Sequence, residues 1–271
     1  MTAARRVPTL AVRGHAAADL VRAVPEESPI AIVYNGGTYA VMMASPVDLE
    51  DFAVGFALCE GVVTSAEALG PVEVIDHGRG HEVRAWLPDA AAADLSARRR
   101  RIAGPTGCGL CGIDSLAEAM RPAAVIGASR RFTPAEIGAA LQALAPAQML
   151  NIETRAVHAA AFWTPDAGLV AIREDVGRHN ALDKLVGALA RAGRRASDGL
   201  VLLTSRVSVE MVQKAATAGA GIVVAVSAPT ALAIETAEAA GLTLVAIARA
   251  DGFEIFTHAH RIKTESLSNV A

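Results

Sequence analysis

The chain has 271 residues, 52% of them hydrophobic, with 25 Lys and Arg against 28 Asp and Glu. A formal net charge of −3 excludes a nucleic-acid coat or a polybasic membrane anchor. No apolar run reaches the ~18 residues needed to cross a bilayer. The first 13 residues lack the apolar stretch and cleavage site of a secretory signal, so a cytoplasmic location is expected. Three cysteines make no disulfide framework and point instead to redox, metal or nucleophilic use.

In chain order, the first third reads as β-rich. Strands at 30–34 and 39–44 flank the turn Asn35-Gly36-Gly37-Thr38. A helix follows, opened by Ser45-Pro46-Val47-Asp48 and ended near Cys59 by Gly61. A second strand pair occupies 72–76 and 81–87, and a basic run at 98–101 leads into the breaker cluster Gly104-Pro105-Thr106-Gly107. The pattern changes after residue 131. Thr133-Pro134-Ala135-Glu136 carries an N-cap, a proline at the first helical position and a capping-box glutamate, predicting a helix to about Leu144. Two strands at 157–163 and 169–174 come next. Helices at 179–192, 208–218 and 230–240 then alternate with strands at 200–204, 222–226 and 244–248. Short Val/Ile/Leu runs joined by helices imply parallel strands buried on both faces. The expectation is an α/β fold in three divisions. These are a smaller α+β N-terminal region over 1–103, a Cys-x-x-Cys loop with a connecting helix over 104–130, and a three-layer, mainly parallel α/β cofactor-binding domain over 131–271.

The most informative stretch is Gly104-Pro105-Thr106-Gly107-Cys108-Gly109-Leu110-Cys111-Gly112, with four glycines and a proline in nine residues. That composition suits neither a helix nor a strand interior and predicts a segment able to move. A helix from Asp114 to Met120 would put Cys111 near the positive end of its dipole, which favours thiolate over thiol. Such a thiolate can attack a persulfide and carry the outer sulfur away. Two other chemistries fit the same spacing. One is half a zinc site completed by donors among His158, His179, His258 and His260. The other is a thioredoxin-like disulfide exchanger, although that motif normally follows a strand directly. Cys59, inside an apolar helix, reads as a packing residue.

Ligands of open α/β sheets bind beyond the carboxyl ends of the strands. Here those ends are followed by Glu174-Asp175 with Arg178-His179-Asn180, by Ser205-Arg206, by Ser227, and by Arg249 and Asp251. Arginines, hydroxyls and helix N-termini suit an anion, most simply one bearing phosphates. The set lacks a nucleotide fingerprint, and Ser205 lacks the Gly-x-Ser-x-Gly elbow that a Ser205-His179-Asp175 hydrolase would want.

Several blocks resemble the formate dehydrogenase accessory sulfurtransferases, the FdhD family. They are Cys-Gly-Leu-Cys-Gly at 108–112, Arg-Glu-Asp-Val-Gly-Arg-His-Asn-Ala-Leu-Asp-Lys at 173–184, and Ser-Arg-Val-Ser-Val-Glu-Met-Val-Gln-Lys-Ala at 205–215. Val-Ser-Ala-Pro-Thr at 226–230 and Thr-His-Ala-His-Arg-Ile at 257–262 complete the set. The resemblance implies a sulfurtransferase and sulfur carrier. It would take sulfur from a cysteine desulfurase as a persulfide on Cys108, assisted by Cys111. It would pass that sulfur to the molybdenum bis(molybdopterin guanine dinucleotide) cofactor destined for formate dehydrogenase. The resemblance places the cofactor at Ile247, Ala248, Arg249, Ala250, Asp251 and Gly252. It further implies a cytidine deaminase-like fold, no tightly held metal, no nucleic-acid or membrane partner, and a homodimer. A cofactor carrier and insertion chaperone without sulfur chemistry, or a zinc-stabilised binding module, are the alternatives. Deamination itself is not expected, because His158 is followed by Ala159 and Ala160 where deaminases carry His-x-Glu. Two positions depart from the family pattern. Thr154-Arg155-Ala156-Val157 stands where a Gly-Gly stretch is frequent, and Gly252 stands where a charged residue is frequent.

Overall fold

The computed structural model describes residues 2–93, 95 and 122–264. It opens with a ribbon that the sequence pattern does not announce. Strands β1 (Ala4–Arg13) and β2 (Ala16–Pro25) pair antiparallel along their full length. Gly14, at φ 59, begins their two-residue loop. The ribbon joins no other described strand, and Leu10, Val12, Leu20 and Val21 are exposed on it.

The expected hairpin follows as β3 (Ser28–Tyr34) and β4 (Gly37–Ala44), turning through Asn35 and Gly36 at positive φ. With β5 (Glu73–Asp76) and β6 (His81–Ala85) it forms a four-stranded sheet in the order β4-β3-β6-β5. Helix α1 (Leu49–Cys59) packs on this sheet through Phe52, Phe56 and their neighbours. It starts later than Ser45-Pro46 predicts. Ser45 is wholly buried and bonded to distant residues, while Asp48 adopts a left-handed φ of 53 and makes no side-chain cap.

The second half begins with α2 (Pro134–Ala147), whose capping box forms as read. Thr133 accepts from the Glu136 N–H at 3.2 Å, and Glu136 accepts from the Thr133 N–H at 2.6 Å. A short α3 (Met149–Thr154) is additional to the expected elements. Glu174 holds its start by accepting the N–H groups of Leu150 and Asn151, both at 2.8 Å. Then come β7 (His158–Thr164), β8 (Gly168–Asp175), α4 (Arg178–Arg191), β9 (Leu200–Leu203), α5 (Val209–Thr217) and β10 (Ile222–Ala225). Last are α6 (Ala231–Ala240), β11 (Thr243–Arg249) and β12 (Gly252–Ile255).

These strands form one six-stranded sheet in the order β12-β11-β10-β9-β7-β8. Side chains alternate across it with the period of two that a pleated strand imposes. Ala160, Phe162, Val201, Leu203, Val223, Ala225, Leu244 and Ala246 face the layer of α4, α5 and α6. Ala161, Trp163, Leu200, Leu202, Ile222, Val224 and Val245 face α2. The α/β class and its three layers are therefore present, in a sheet where β8, β9, β10 and β11 run one way and β7 and β12 the other. Parallel pairing is confined to β9-β10 and β10-β11; β12 pairs antiparallel with β11, and β7 pairs antiparallel with both β9 and β8, so β8 again runs in the direction of β9. Hairpins built β7-β8 and β11-β12, and a hairpin joins only antiparallel neighbours.

The two halves meet where α1 crosses α4. A Cβ on Gly55 would lie 1.7 Å from the Asp183 carbonyl oxygen, and one on Gly187 would lie 1.9 Å from that of Asp51. Only glycine lets the two backbones touch there. Helix α1 is consequently buried on nearly every side, between its own sheet and α4.

Candidate functional site

Cys108 and Cys111, with the loop and helix predicted around them, lie outside the described residues. The third cysteine is informative by contrast. Cys59 is 1% exposed, and burial, reinforced by the Asp183 charge, pushes its thiol well above the ordinary value. A protonated thiol in the core is a poor nucleophile.

The strand directions define a rim. His158 opens β7 opposite Asp175, which closes β8, and Ala160 pairs with Leu203 at the end of β9. The start of β7 and the ends of β8, β9, β10 and β11 thus lie along one edge. From β8 to β11 there are four strand spacings of ~4.8 Å each. The N-termini of α4, α5 and α6 open onto this edge.

Much of the polar content beneath the rim is committed to holding the halves together. Asp175 and Lys184 are fully buried and 2.6 Å apart. The Asp175 carboxylate also accepts the N–H of Ser45 at 3.0 Å, that of Gly177 at 2.8 Å and the Asn180 amide at 3.0 Å. Lys184 donates to the Ser45 carbonyl at 2.9 Å, and Asn180 to that of Met43 at 2.8 Å. A second network lies one turn away. Lys214 bonds both oxygens of Asp183, at 2.9 and 3.0 Å, and Glu60 at 2.8 Å. Burial opposes its charge, yet these carboxylates hold the ammonium above its usual value. Each lysine also sits over a ring of α1, Lys184 at 5.9 Å from the Phe52 centroid and Lys214 at 5.6 Å from that of Phe56. A third cluster joins α1 to β8 and α4, with Asp51 accepting from Arg173 at 2.8 and 2.6 Å and from Arg191.

Above these networks the balance reverses. Arg178 Nε and His179 Nε2 are buried with no hydrogen-bond partner, whereas the Ser208 hydroxyl turns to the Glu210 carboxylate and, against the burial that raises it, helps hold it below its ordinary value. An unpaired buried donor costs ~1–3 kcal/mol, so such atoms are expected where something else supplies the acceptor. The His179 pKa is lowered to about 4 by burial first, then by Arg178 and Lys214, against Glu210 and Glu60. The His158 pKa is lowered by burial and by Arg178. His179 is therefore neutral at neutral pH, with Nε2 standing 3.9 Å from Glu210 Oε2.

The remaining sequence candidates separate. A Ser205-His179-Asp175 triad does not form, because Asp175 is spent on Lys184 and its neighbours and Ser205 Oγ donates to the Arg206 carbonyl. His258 and His260 lie at the opposite edge of the sheet from His158 and His179. There the His258 carbonyl accepts from Thr243 at the start of β11, and its Nε2 meets the Glu238 carbonyl. The four histidines cannot share one ion. Among the described residues no three His, Cys, Asp or Glu side chains group as metal ligands. No described helix is long and apolar enough to cross a membrane.

The segment 247–252 is not wholly a loop beyond the last parallel strand. Ile247, Ala248 and Arg249 belong to β11, and Gly252 opens β12. A bulge between Ala246 and Arg249 turns Ile247 to φ 51, its N–H bonded to the Ser227 carbonyl at 3.2 Å. Ala248 is buried, while Arg249, Ala250, Asp251 and Gly252 are exposed. Open space surrounds a Cβ at Gly252. The bulge thus presents a short polar turn on the same edge as the unpaired donors. Sequence reasoning placed Arg178 and His179 on the rim but passed over Ser45, Asp183, Lys184, Lys214 and Glu210. The one signal for them was two adjacent charges, Asp183 and Lys184, inside a helix with no polar face to spare.

This α/β fold is shared with known proteins. The FdhD/NarQ family profile matches residues 25–263, and the chain belongs to that family. The sulfur carrier protein FdhD of Agrobacterium fabrum is 55% identical over 259 residues, covering 95% of this chain and 96% of the relative. That of Brucella abortus is 53% identical over 242 residues, covering 89% and 90%. A crystal structure from Desulfotalea psychrophila, assigned as a formate dehydrogenase accessory protein, superposes with a TM-score of 0.77 at 25% identity. It covers 96% of this chain and all of that one.

Proposed function

We propose that this protein is a sulfur carrier that acts as a sulfurtransferase in preparing the molybdenum cofactor for formate dehydrogenase. The observation that carries the reading is the family match across 25–263, which takes in both the Cys108-Gly109-Leu110-Cys111 motif and the whole rim. In the first step the Cys108 thiolate attacks the outer sulfur of a persulfide on a cysteine desulfurase. The donor's S–S bond breaks, its electron pair leaves with the donor thiolate, and a new S–S bond forms on Cys108. Cys111 supports release by exchange. The acceptor is the molybdenum bis(molybdopterin guanine dinucleotide), a substrate rather than a resident group, held along the rim at 247–252. Three features support that placement: the exposed Arg249 turn, the unpaired donors on the same edge, and a rim several strands long. The buried, protonated Cys59 leaves the exchange chemistry to the pair. The proposal includes a cytoplasmic location and a homodimer.

Intact mass after incubation with a desulfurase and cysteine is the test. Wild type and Cys59→Ala should gain sulfur that cyanide removes, and Cys108→Ala should not. Undiminished loading of Cys108→Ala overturns the assignment. Active formate dehydrogenase in cells carrying only Cys108→Ala would favour a cofactor chaperone whose cysteines do no chemistry.

A further inference from the structure

We infer that the ribbon β1-β2 is an arm through which two copies of this chain join, stacked face to face about a two-fold axis at the Pro8-Val21 rung. The inference deepens the homodimer of the proposed function by naming its surface. It rests on that part of the reading and not on the sulfur chemistry.

Pleat and pairing decide which side chains share a face. Residues two apart on a strand, and residues directly opposite across a ladder, point the same way. Arg6, Pro8, Leu10 and Val12 therefore share one face of the ribbon with the residues they oppose, Ala23, Val21, Asp19 and Ala17. From Val7 to Val12 the strand alternates half-buried and exposed, and the exposed set, Pro8, Leu10 and Val12, is the wholly apolar one. Leu10, Val12 and Val21 are 65%, 67% and 66% exposed. Strand β2 is exposed from Ala16 to Arg22, so the outer part of the ribbon stands clear of the body. A two-stranded ribbon is marginal in water by itself, and an open apolar face of this kind marks a contact surface.

The charges on that face say what covers it. Arg6 lies two residues to the root side of the Pro8-Val21 rung, and Asp19, opposite Leu10, lies two residues to the tip side. About 13 Å of strand separates them, too far for a bond within one chain. Arg5, on the other face, pairs with Glu26 at 3.0 Å, whereas neither Arg6 nor Asp19 has a partner among the described residues. A two-fold axis at the Pro8-Val21 rung lays each Arg6 rung on the Asp19 rung of the second copy. Two Arg–Asp pairs then close across the interface, Pro8 and Val21 meet at its centre, and each tip reaches the root of the other arm. Opposite charges equidistant from one rung are what a self-complementary, isologous contact requires.

Edge-to-edge addition is less favoured. The Glu26 N–H bonds the Ala3 carbonyl, so the outward-facing backbone positions of β1 fall at Arg6, Pro8, Leu10 and Val12, and Pro8 breaks that edge at its middle. The stacked face measures roughly 27 Å by 10 Å. Two copies bury less than the ~1,200 Å² at which stable interfaces begin, so the dimer should dissociate on dilution through the micromolar range.

Sedimentation equilibrium of the full chain over that range reads the dissociation constant. Leu10→Glu and Val21→Glu should each raise it at least about a hundredfold, because they place carboxylates in an apolar contact and opposite their own copies. Leu20→Glu, on the opposite face of the ribbon, should leave it unchanged. Arg6→Asp and Asp19→Arg should each weaken the dimer, and the two together should restore it, which a change within one chain cannot do. Should a variant of the apolar face fail to fold, the charge swap carries the comparison. A Leu10→Glu dimer as tight as wild type, equal loss in Leu20→Glu, or no rescue by the double swap overturns the arm and leaves the homodimer to another surface. A wild type that stays monomeric throughout overturns both. Desulfurase loading of Cys108 in the same samples reports on the carrier reading separately.

Discussion

Lys184 and Asp175 form a fully buried ion pair at 2.6 Å, and the same carboxylate receives the backbone N–H of Ser45 from the other half of the chain. The pair therefore joins two sheets as well as two charges. Removing the lysine leaves a carboxylate with no water and no cation. Lys184→Met is expected to lose about 3–5 kcal/mol of stability, as buried pairs do when one partner is deleted. Urea denaturation of the two proteins measures the difference, and the loss should be smaller in the double variant Lys184→Met with Asp175→Asn.

The crossing of α1 and α4 has no room for a methyl group at either glycine. Gly55→Ala and Gly187→Ala should each destabilise the fold by at least about 1–3 kcal/mol through overpacking. Gly138, within α2, has no atom within 4 Å of the place a Cβ would take. Gly138→Ala should have the opposite sign, a gain of about 0.5–1 kcal/mol from helix propensity. Thermal melts of the three variants separate packing from propensity.

His179 titrates at about 4 in the folded chain, well below the ordinary 6.5. The unfolded chain binds the extra proton first, so stability falls as pH drops from about 6.5 to about 4 and then levels for this group. The full effect is at most about 3 kcal/mol. In His179→Gln that component of the acid limb should vanish, which denaturant titration at a series of pH values will show.

Thiol reactivity should divide along burial. In native protein, iodoacetamide should spare Cys59, whose thiol is buried and held protonated, and should reach it only after denaturation. Peptide mapping of the labelled sites checks this directly. Labelling of Cys59 at the rate of an exposed thiol would contradict the burial described for α1.

The legibility of the fold follows from how local its causes are. The capping box at Thr133 and Glu136, the Asn35-Gly36 turn and the buried runs of β9, β10 and β11 are each set by a few neighbouring residues, and all three stand where the sequence places them. The ribbon β1-β2 was not legible, since Ala16-Ala17-Ala18 has no strand preference and long-range pairing alone makes it a strand. Helix α4 was legible, but the burial of its second face was not. Its apolar stripe at Leu182, Leu185, Val186 and Leu189 predicted one covered face, and α1 covers the other, which is why Asp183 and Lys184 are buried. Of the candidate site, the rim and its arginine and histidine were visible from strand ends. The unpaired state of Arg178 Nε and His179 Nε2 depends on what surrounds them in space and has no mark in the sequence.

Because α1 serves as a wall for both halves, neither half is a free-standing unit. A fragment cut after residue 103 would strip α4 of its cover and leave Asp175 without the Ser45 N–H it accepts. The Met43 carbonyl that steadies Asn180, two residues from Arg178, would go with it. The edge that bears Arg178 and His179 is thus a joint property of segments more than a hundred residues apart. Any gene fusion or truncation that separates them should forfeit that edge before it forfeits the sheet.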